Sequence, residues 1–183
     1  MLTENKRIFK NDGFTLVELA IVVAIAGIVS LMAAGGYMAW KPGNIFRGAV
    51  SQVRADISRA KMRAVETRRQ CRVIFTTNGY QIEDGDRVMN STAGGWGNLD
   101  TSVTPNVHTP GTPFRTLTFV DFPQITLLDN AGAVIVAGAN EPTITFSPRG
   151  TATNLDSVQV VHPTEGIATI AVNITGRVNI TWP

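Results

Sequence analysis

The chain has 183 residues, 16 Lys+Arg against 14 Asp+Glu, a net charge of +2, and only 16% charged residues against 44% hydrophobic ones. Its slightly positive mean hydropathy excludes a disordered chain, and only one stretch is long and apolar enough to span a bilayer, which excludes a multi-span membrane protein. One cysteine, Cys71, excludes an internal disulfide framework and any CxxC metal or redox motif, and two histidines, His108 and His162, leave little for a zinc site.

The net charge hides a segregation. Residues 1–13 sum to +1, residues 14–40 to −1, residues 41–72 to +7 and residues 73–183 to −5. The order is a short basic leader, an apolar rod, a basic helix and a mildly acidic body.

The rod runs FTLVELAIVVAIAGIVSLMAAGGYMAW from Phe14 to Trp40, and the 22 residues from Leu19 to Trp40 carry no charge. As a helix that length spans roughly 33 Å, enough for a bilayer core. A cleaved secretory signal has a shorter apolar region of about 7–15 residues, so a retained membrane helix is favoured. Tyr37 and Trp40 suit the far interface. Basic residues flank both ends, so charge alone leaves the topology open. Glu18 is the anomaly. A charge at mid-bilayer costs at least ~2.5 kcal/mol, which makes it a functional candidate; the alternative is a carboxylate snorkelling at headgroup level.

Gly13-Phe14-Thr15-Leu16-Val17-Glu18-Leu19, behind a basic leader and ahead of the apolar run, resembles the prepilin signature of type IV pilins and type II secretion pseudopilins. The resemblance implies cleavage by a prepilin peptidase between Gly13 and Phe14, N-methylation of Phe14, a cytoplasmic leader, and a body outside the inner membrane. It also implies that Glu18 pairs with the amino terminus of a neighbouring subunit during filament assembly. Phe14 and Glu18 are i and i+4 on one helical face, so an intrachain pair is the competing reading. An ammonium and a carboxylate leaving water need each other either way. The sequence departs from many major pilins, which carry a proline about 22 residues into the mature chain. Ala34-Gly35-Gly36 stands there instead, and Pro42-Gly43 is expected to kink or end the helix.

Asn44 is a plausible N-cap for a second helix. Phe46, Ala49, Val50, Val53, Ile57, Ala60 and Ala64 recur at three and four residues, an amphipathic pattern to about Gln70. Arg47, Arg54, Lys61 and Arg68 recur every seven residues on another face. They read either as a solvated face or as a contact for acidic neighbours, anionic lipid or nucleic acid. Cys71 reads as a buried apolar residue.

Beyond Arg72 the chain reads as short strands. Val73–Thr76 and Tyr80–Glu83 flank Asn78-Gly79, a hairpin signal. Thr116–Phe122, Ile125–Leu128, Ala133–Val136, Thr143–Phe146, Val158–Val161, Ile167–Asn173 and Arg177–Thr181 follow, with turns at Asp129–Gly132 and Thr175-Gly176. Residues 84–115 form a long, weakly patterned loop. Within it Trp96, among glycines, is either an exposed partner anchor or tucked onto the sheet. Glu83-Asp84-Gly85-Asp86 reads as an acidic turn, since it lacks the distal Glu of a calcium loop. The two histidines are expected in surface loops. No nucleophile elbow, phosphate loop or paired acid and base is visible.

Thr145–Ala152 and Ile174–Ile180 resemble the two signature stretches of the GspH/FimT-type minor pilin domain. Some pilus members of that family bind DNA through a C-terminal Gly-Arg-x-Arg stretch. Gly176 and Arg177 match it, but Asn179 replaces the second Arg, and the acidic body disfavours phosphate.

The expected architecture is α+β: a leader at 1–13, a membrane or filament-core helix at 14–43, a basic amphipathic helix at 44–72, and an antiparallel β body at 73–183. The expected function is a non-enzymatic minor pilin or pseudopilin that initiates or caps a type IV pilus or type II secretion pseudopilus. A DNA-binding minor pilin and a plain membrane-anchored periplasmic domain are the alternatives. The expected partners are other pilins, prepilin peptidase and the inner membrane, with DNA the disfavoured one; no cofactor or metal is expected. Gly13 and Phe14 are the expected leader-cleavage pair, Phe14 the N-methylation site and Glu18 the assembly residue, with Arg149, Arg177 and Trp96 the candidate partner or DNA contacts.

Overall fold

The computed structural model describes residues 14–85, 95–100 and 107–183. The leader, Gly13 included, Asp86, and much of the 84–115 stretch lie outside the described residues. Helix α1 runs Leu16–Thr67. The strands are β1 Cys71–Thr76, β2 Gly79–Asp84, β3 Gly97–Asp100, β4 Val107–Pro110, β5 Arg115–Thr118, β6 Thr126–Leu128, β7 Thr143–Phe146, β8 Ala152–Leu155, β9 Ser157–His162, β10 Gly166–Val172 and β11 Val178–Thr181. This is the expected α+β arrangement.

The chain divides into two compact units, Met1–Lys41 and Pro42–Pro183. The helix does not end at Pro42-Gly43 as the sequence suggested, and Asn44 lies inside it rather than capping a second helix. A proline removes one amide donor and crowds one carbonyl, but helical residues can continue on either side of it. The helix ends instead at Thr67. Arg68 takes a left-handed φ of 53°, and the Arg69 N–H donates back to the Ala64 carbonyl at 3.2 Å, a Schellman-type close.

In the second unit the apolar periodicity is realised in full. Phe46, Ala49, Val50, Val53, Ile57, Ala60 and Ala64 are all buried, in one cluster with Val73, Phe75, Ile82, Ile144 and Phe146 of one sheet and Val158, Val160 and Ile170 of the other. Cutting Ile57 to alanine in such a core costs about 2–5 kcal/mol. The first sheet has the order β4-β3-β2-β1-β7-β8, with β5 also pairing β2; the second has the order β11-β10-β9-β6. All named pairings are antiparallel.

Several local expectations are corrected. The β1–β2 hairpin turns on Thr77-Asn78, because Thr76 pairs Gly79. Gly79 is glycine for proximity, since a Cβ there would overlap the Leu117 carbonyl of β5. The 84–115 stretch is not simply a loop, because β3 and β4 extend the first sheet within it. Residues Phe119–Asp121 form a 3-10 turn instead of continuing the predicted strand. Ala133–Val136 makes only a single bridge, Leu128 to Val134. There, side chains take the ladder's place: Asp129 Oδ1 accepts from the Ala131 and Ala133 amides, and Asn140 Oδ1 accepts from Val136. His162 is buried in β9 rather than in a surface loop, because strand alternation turns positions 158, 160 and 162 inward. Its Nδ1 lies 3.1 Å from Thr164 Oγ1. His108 is carried by β4; its side chain lies outside the described set.

Candidate functional site

The N-terminal segment opens on a built helix cap. Thr15 Oγ1 accepts the Glu18 N–H at 3.2 Å, and the Thr15 carbonyl accepts the Leu19 N–H at 3.2 Å. Thr15-Leu16-Val17-Glu18 is thus the sequence of a capping box, a signal the chain itself carries. It fixes where the helix starts, two residues beyond the Gly13-Phe14 bond. Glu18 stands in the first turn, exposed, at the positive end of the helix. Phe14 is 84% exposed, and the large apolar side chains from Leu16 to Trp40 are exposed as well. α1 is long and apolar enough in this part to cross a membrane. Its one central hydroxyl, Ser30, donates to the Ala26 carbonyl at 2.7 Å, so it brings no unsatisfied donor into lipid.

In the body, the basic helix is matched by buried carboxylates. Arg63 Nε lies 2.8 Å from Asp84 Oδ1, and its Nη2 lies 2.7 Å from Oδ2; Asp84 is fully buried. The same guanidinium lies 3.6 Å from the Phe114 ring centroid. Arg72 Nε donates to Glu83 Oε2 at 2.8 Å, and its guanidinium covers the Trp96 ring at 4.4 Å. Glu83 and Asp84 are therefore not an acidic surface turn. They are the inner halves of two arginine pairs. Asp56, the helix's own buried carboxylate, accepts from the Tyr80 hydroxyl at 2.6 Å and from Gln52 at 3.0 Å, and pairs with Arg59. Arg115 Nε lies 3.4 Å away. Burial first, and then the bond to Asp56, push the Tyr80 phenol well above its ordinary pKa. Burial, aided by Asp84, does the same to the Cys71 thiol.

Two hairpin turns meet at the other functional candidates. In the β7–β8 turn, the Gly150 N–H donates to the Ser147 carbonyl at 2.9 Å and the Arg149 N–H to Ser147 Oγ at 3.2 Å. In the β10–β11 turn, the Gly176 N–H donates to the Asn173 carbonyl and the Arg177 N–H to Asn173 Oδ1, both at 2.8 Å. Gly150 and Gly176 have φ of 79° and 73°. A Cβ on Gly176 would overlap the Gly150 carbonyl oxygen. Lys61 Nζ ties this junction to the helix by donating to the Thr175 carbonyl at 3.0 Å. The structure thus brings the turns of Arg149 and Arg177 together, with both arginines exposed. Trp96 is elsewhere, only 7% exposed beneath Arg72, so it offers a partner almost no surface.

Residues 8–34 match the prokaryotic N-terminal methylation motif, and residues 49–176 match the type II transport protein GspH family. The chain belongs to the GspH family. This GspH-family chain is a structural subunit of the minor pilin or pseudopilin class, and its family and fold are those of filament subunits rather than enzymes. A crystal structure of the Pseudomonas aeruginosa type IV minor pilin FimU shares the fold at TM-score 0.50 and 16% identity, over 75% of this chain and 89% of that one. A second crystal form of FimU aligns at TM-score 0.45 and 16% identity, over 74% of this chain and 91% of that one. No curated protein matches the chain by sequence. Gly150 and Gly176 let the two turns close on each other over Lys61.

Proposed function

We propose that the chain is made as a single-pass precursor in the inner membrane, with residues 1–13 in the cytoplasm and the body outside. A prepilin peptidase removes the leader between Gly13 and Phe14 and methylates the new Phe14 nitrogen. Residues 14–43 then leave the bilayer and pack against other pilins in the filament core, where Glu18 pairs with the amino terminus of a neighbour. The chain serves at low copy, initiating or capping the filament.

One observation carries this reading: an apolar helix with no cover of its own, bearing a single carboxylate in its first turn. So much exposed apolar surface needs lipid in storage and neighbouring helices in the filament. A carboxylate one turn from a newly made ammonium is matched in charge and position to an amino terminus entering the same dry core. The likeness to FimU supports a pilus, and the GspH family description supports a secretion pseudopilus.

The test is Glu18→Ala in the full chain, in a host that builds the filament. Cleavage and methylation should stay intact while the variant is lost from sheared filaments. Wild-type incorporation of Glu18→Ala would overturn the assembly role.

A further inference from the structure

The junction of the two signature turns leaves apolar side chains uncovered. Met62 is 64% exposed, Val65 48% and Ile174 66%. They belong to one surface. A Cβ at Gly150 would stand 3.2 Å from both Lys61 Cε and Val65 Cγ2, Met62 precedes Val65 by three residues on the same side of the helix, and the Ile174 carbonyl accepts from Ala152, two residues past Gly150, at 3.1 Å. Around them stand Lys61, Arg149 and Arg177. Neither arginine side chain has an ion-pair, hydrogen-bond or ring partner among the described residues. The neighbouring acidic residue, Glu66, is exposed on the same helical stretch.

We propose that this end of the body docks the acidic face of a neighbouring pilin-class subunit, with Met62, Val65 and Ile174 as its apolar centre and Lys61, Arg149 and Arg177 as its cationic rim. The proposal rests on the filament-subunit reading and adds the face used and the chemistry it meets. An apolar centre inside a charged rim, with Met and Arg among its residues, is the anatomy of a protein interface. A nucleic acid would use the rim alone. It would leave three apolar side chains in water, and none of the six residues is an aromatic on which a base could stack. Carboxylates are the natural partners of the rim, because a guanidinium meets a carboxylate in two-pronged fashion, as Arg63 meets Asp84 inside this body. Among the described residues no carboxylate reaches Arg149 or Arg177, so both charges are open to an acidic partner.

The test uses the full-length chain in a filament-building host, with a photo-crosslinking amino acid at Met62 or Ile174 and the adducts identified by mass spectrometry. The expected adduct is a chain bearing an N-terminal methylation motif. Its yield should fall about tenfold or more when Arg149→Glu and Arg177→Glu are combined, the scale of losing interface hot spots. It should fall less with the milder pair Arg149→Gln and Arg177→Gln, which guards against misfolding. A probe at Val120, exposed in the 3-10 turn after β5, should be unaffected by either pair. Phe14 methylation and filament association are read in the same samples. Adducts to nucleic acid or lipid, no adduct, or an adduct indifferent to the arginines would overturn the docking face while methylation and filament association persist. Loss of both of those in the unsubstituted chain would overturn the filament reading, and the docking face with it.

Discussion

Arg63 on the helix holds both carboxylate oxygens of Asp84, the last residue of β2, across a sequence separation of 21. Part of the positive excess of residues 41–72 is answered by carboxylates of the body, with Arg72 of β1 and Glu83 of β2 repeating the arrangement one pair away. Removing Arg63 would strip a fully buried carboxylate of its two-pronged guanidinium partner. Arg63→Ala should destabilise residues 42–183, which contain the whole buried core, by about 3–5 kcal/mol, whereas an apolar replacement of both partners should recover most of the loss. Denaturant unfolding of the single and double variants measures this.

Alkaline pH should loosen the body through Cys71 and Tyr80. Both groups have folded-state pKa values raised above their unfolded ones. Their stabilisation is complete below the unfolded pKa and is lost as pH climbs from there toward the folded value. The thiol enters first, above about pH 8.5, and the phenol near pH 10, each with a slope of about 1.4 kcal/mol per pH unit. Unfolding free energy measured from pH 7 to 11 should fall more gently in Cys71→Ala between pH 9 and 10. Asp129 runs the other way. Its carboxyl is held down by backbone and Asn140 hydrogen bonds, so its contribution is present above the ordinary carboxylate pKa and disappears as pH falls through the lowered value.

Arg68 ends α1 with a left-handed backbone that favours glycine. Arg68→Gly should raise stability by about 0.5–1 kcal/mol. Arg68→Ala, which removes the same exposed charge without freeing φ, should not. Paired thermal melts distinguish the two.

Gly176 should tolerate no side chain. Gly176→Ala adds a methyl against the Gly150 carbonyl at a φ of 73°, and the strain should cost about 1–3 kcal/mol. A matched Gly111→Ala, with a similar φ of 74° but open space around it, should cost less, and the difference isolates the close approach of the two turns.

Much of this was legible in the sequence where a period or a turn signal was strong. The helix face from Phe46 to Ala64 followed from spacing alone, and the β1–β2 and β10–β11 hairpins from alternation broken by turn residues. What escaped was set by tertiary partners. Glu83 and Asp84 look like a solvated turn until Arg72 and Arg63 arrive from elsewhere in the chain. His162 looks like a loop residue until β10 fixes its strand register. β3 and β4 have too little apolar alternation to announce themselves, and Trp96 is settled by Arg72 above it. The assembly segment was legible as chemistry, an ionisable residue in an apolar run, but the cleavage and pairing expected there came from resemblance.

The most direct measurement is the mass of the amino-terminal peptide of the chain purified from filament-bearing cells. The expected peptide begins at N-methylated Phe14, with residues 1–13 absent. A retained leader, or an amino terminus at any other residue, would contradict it.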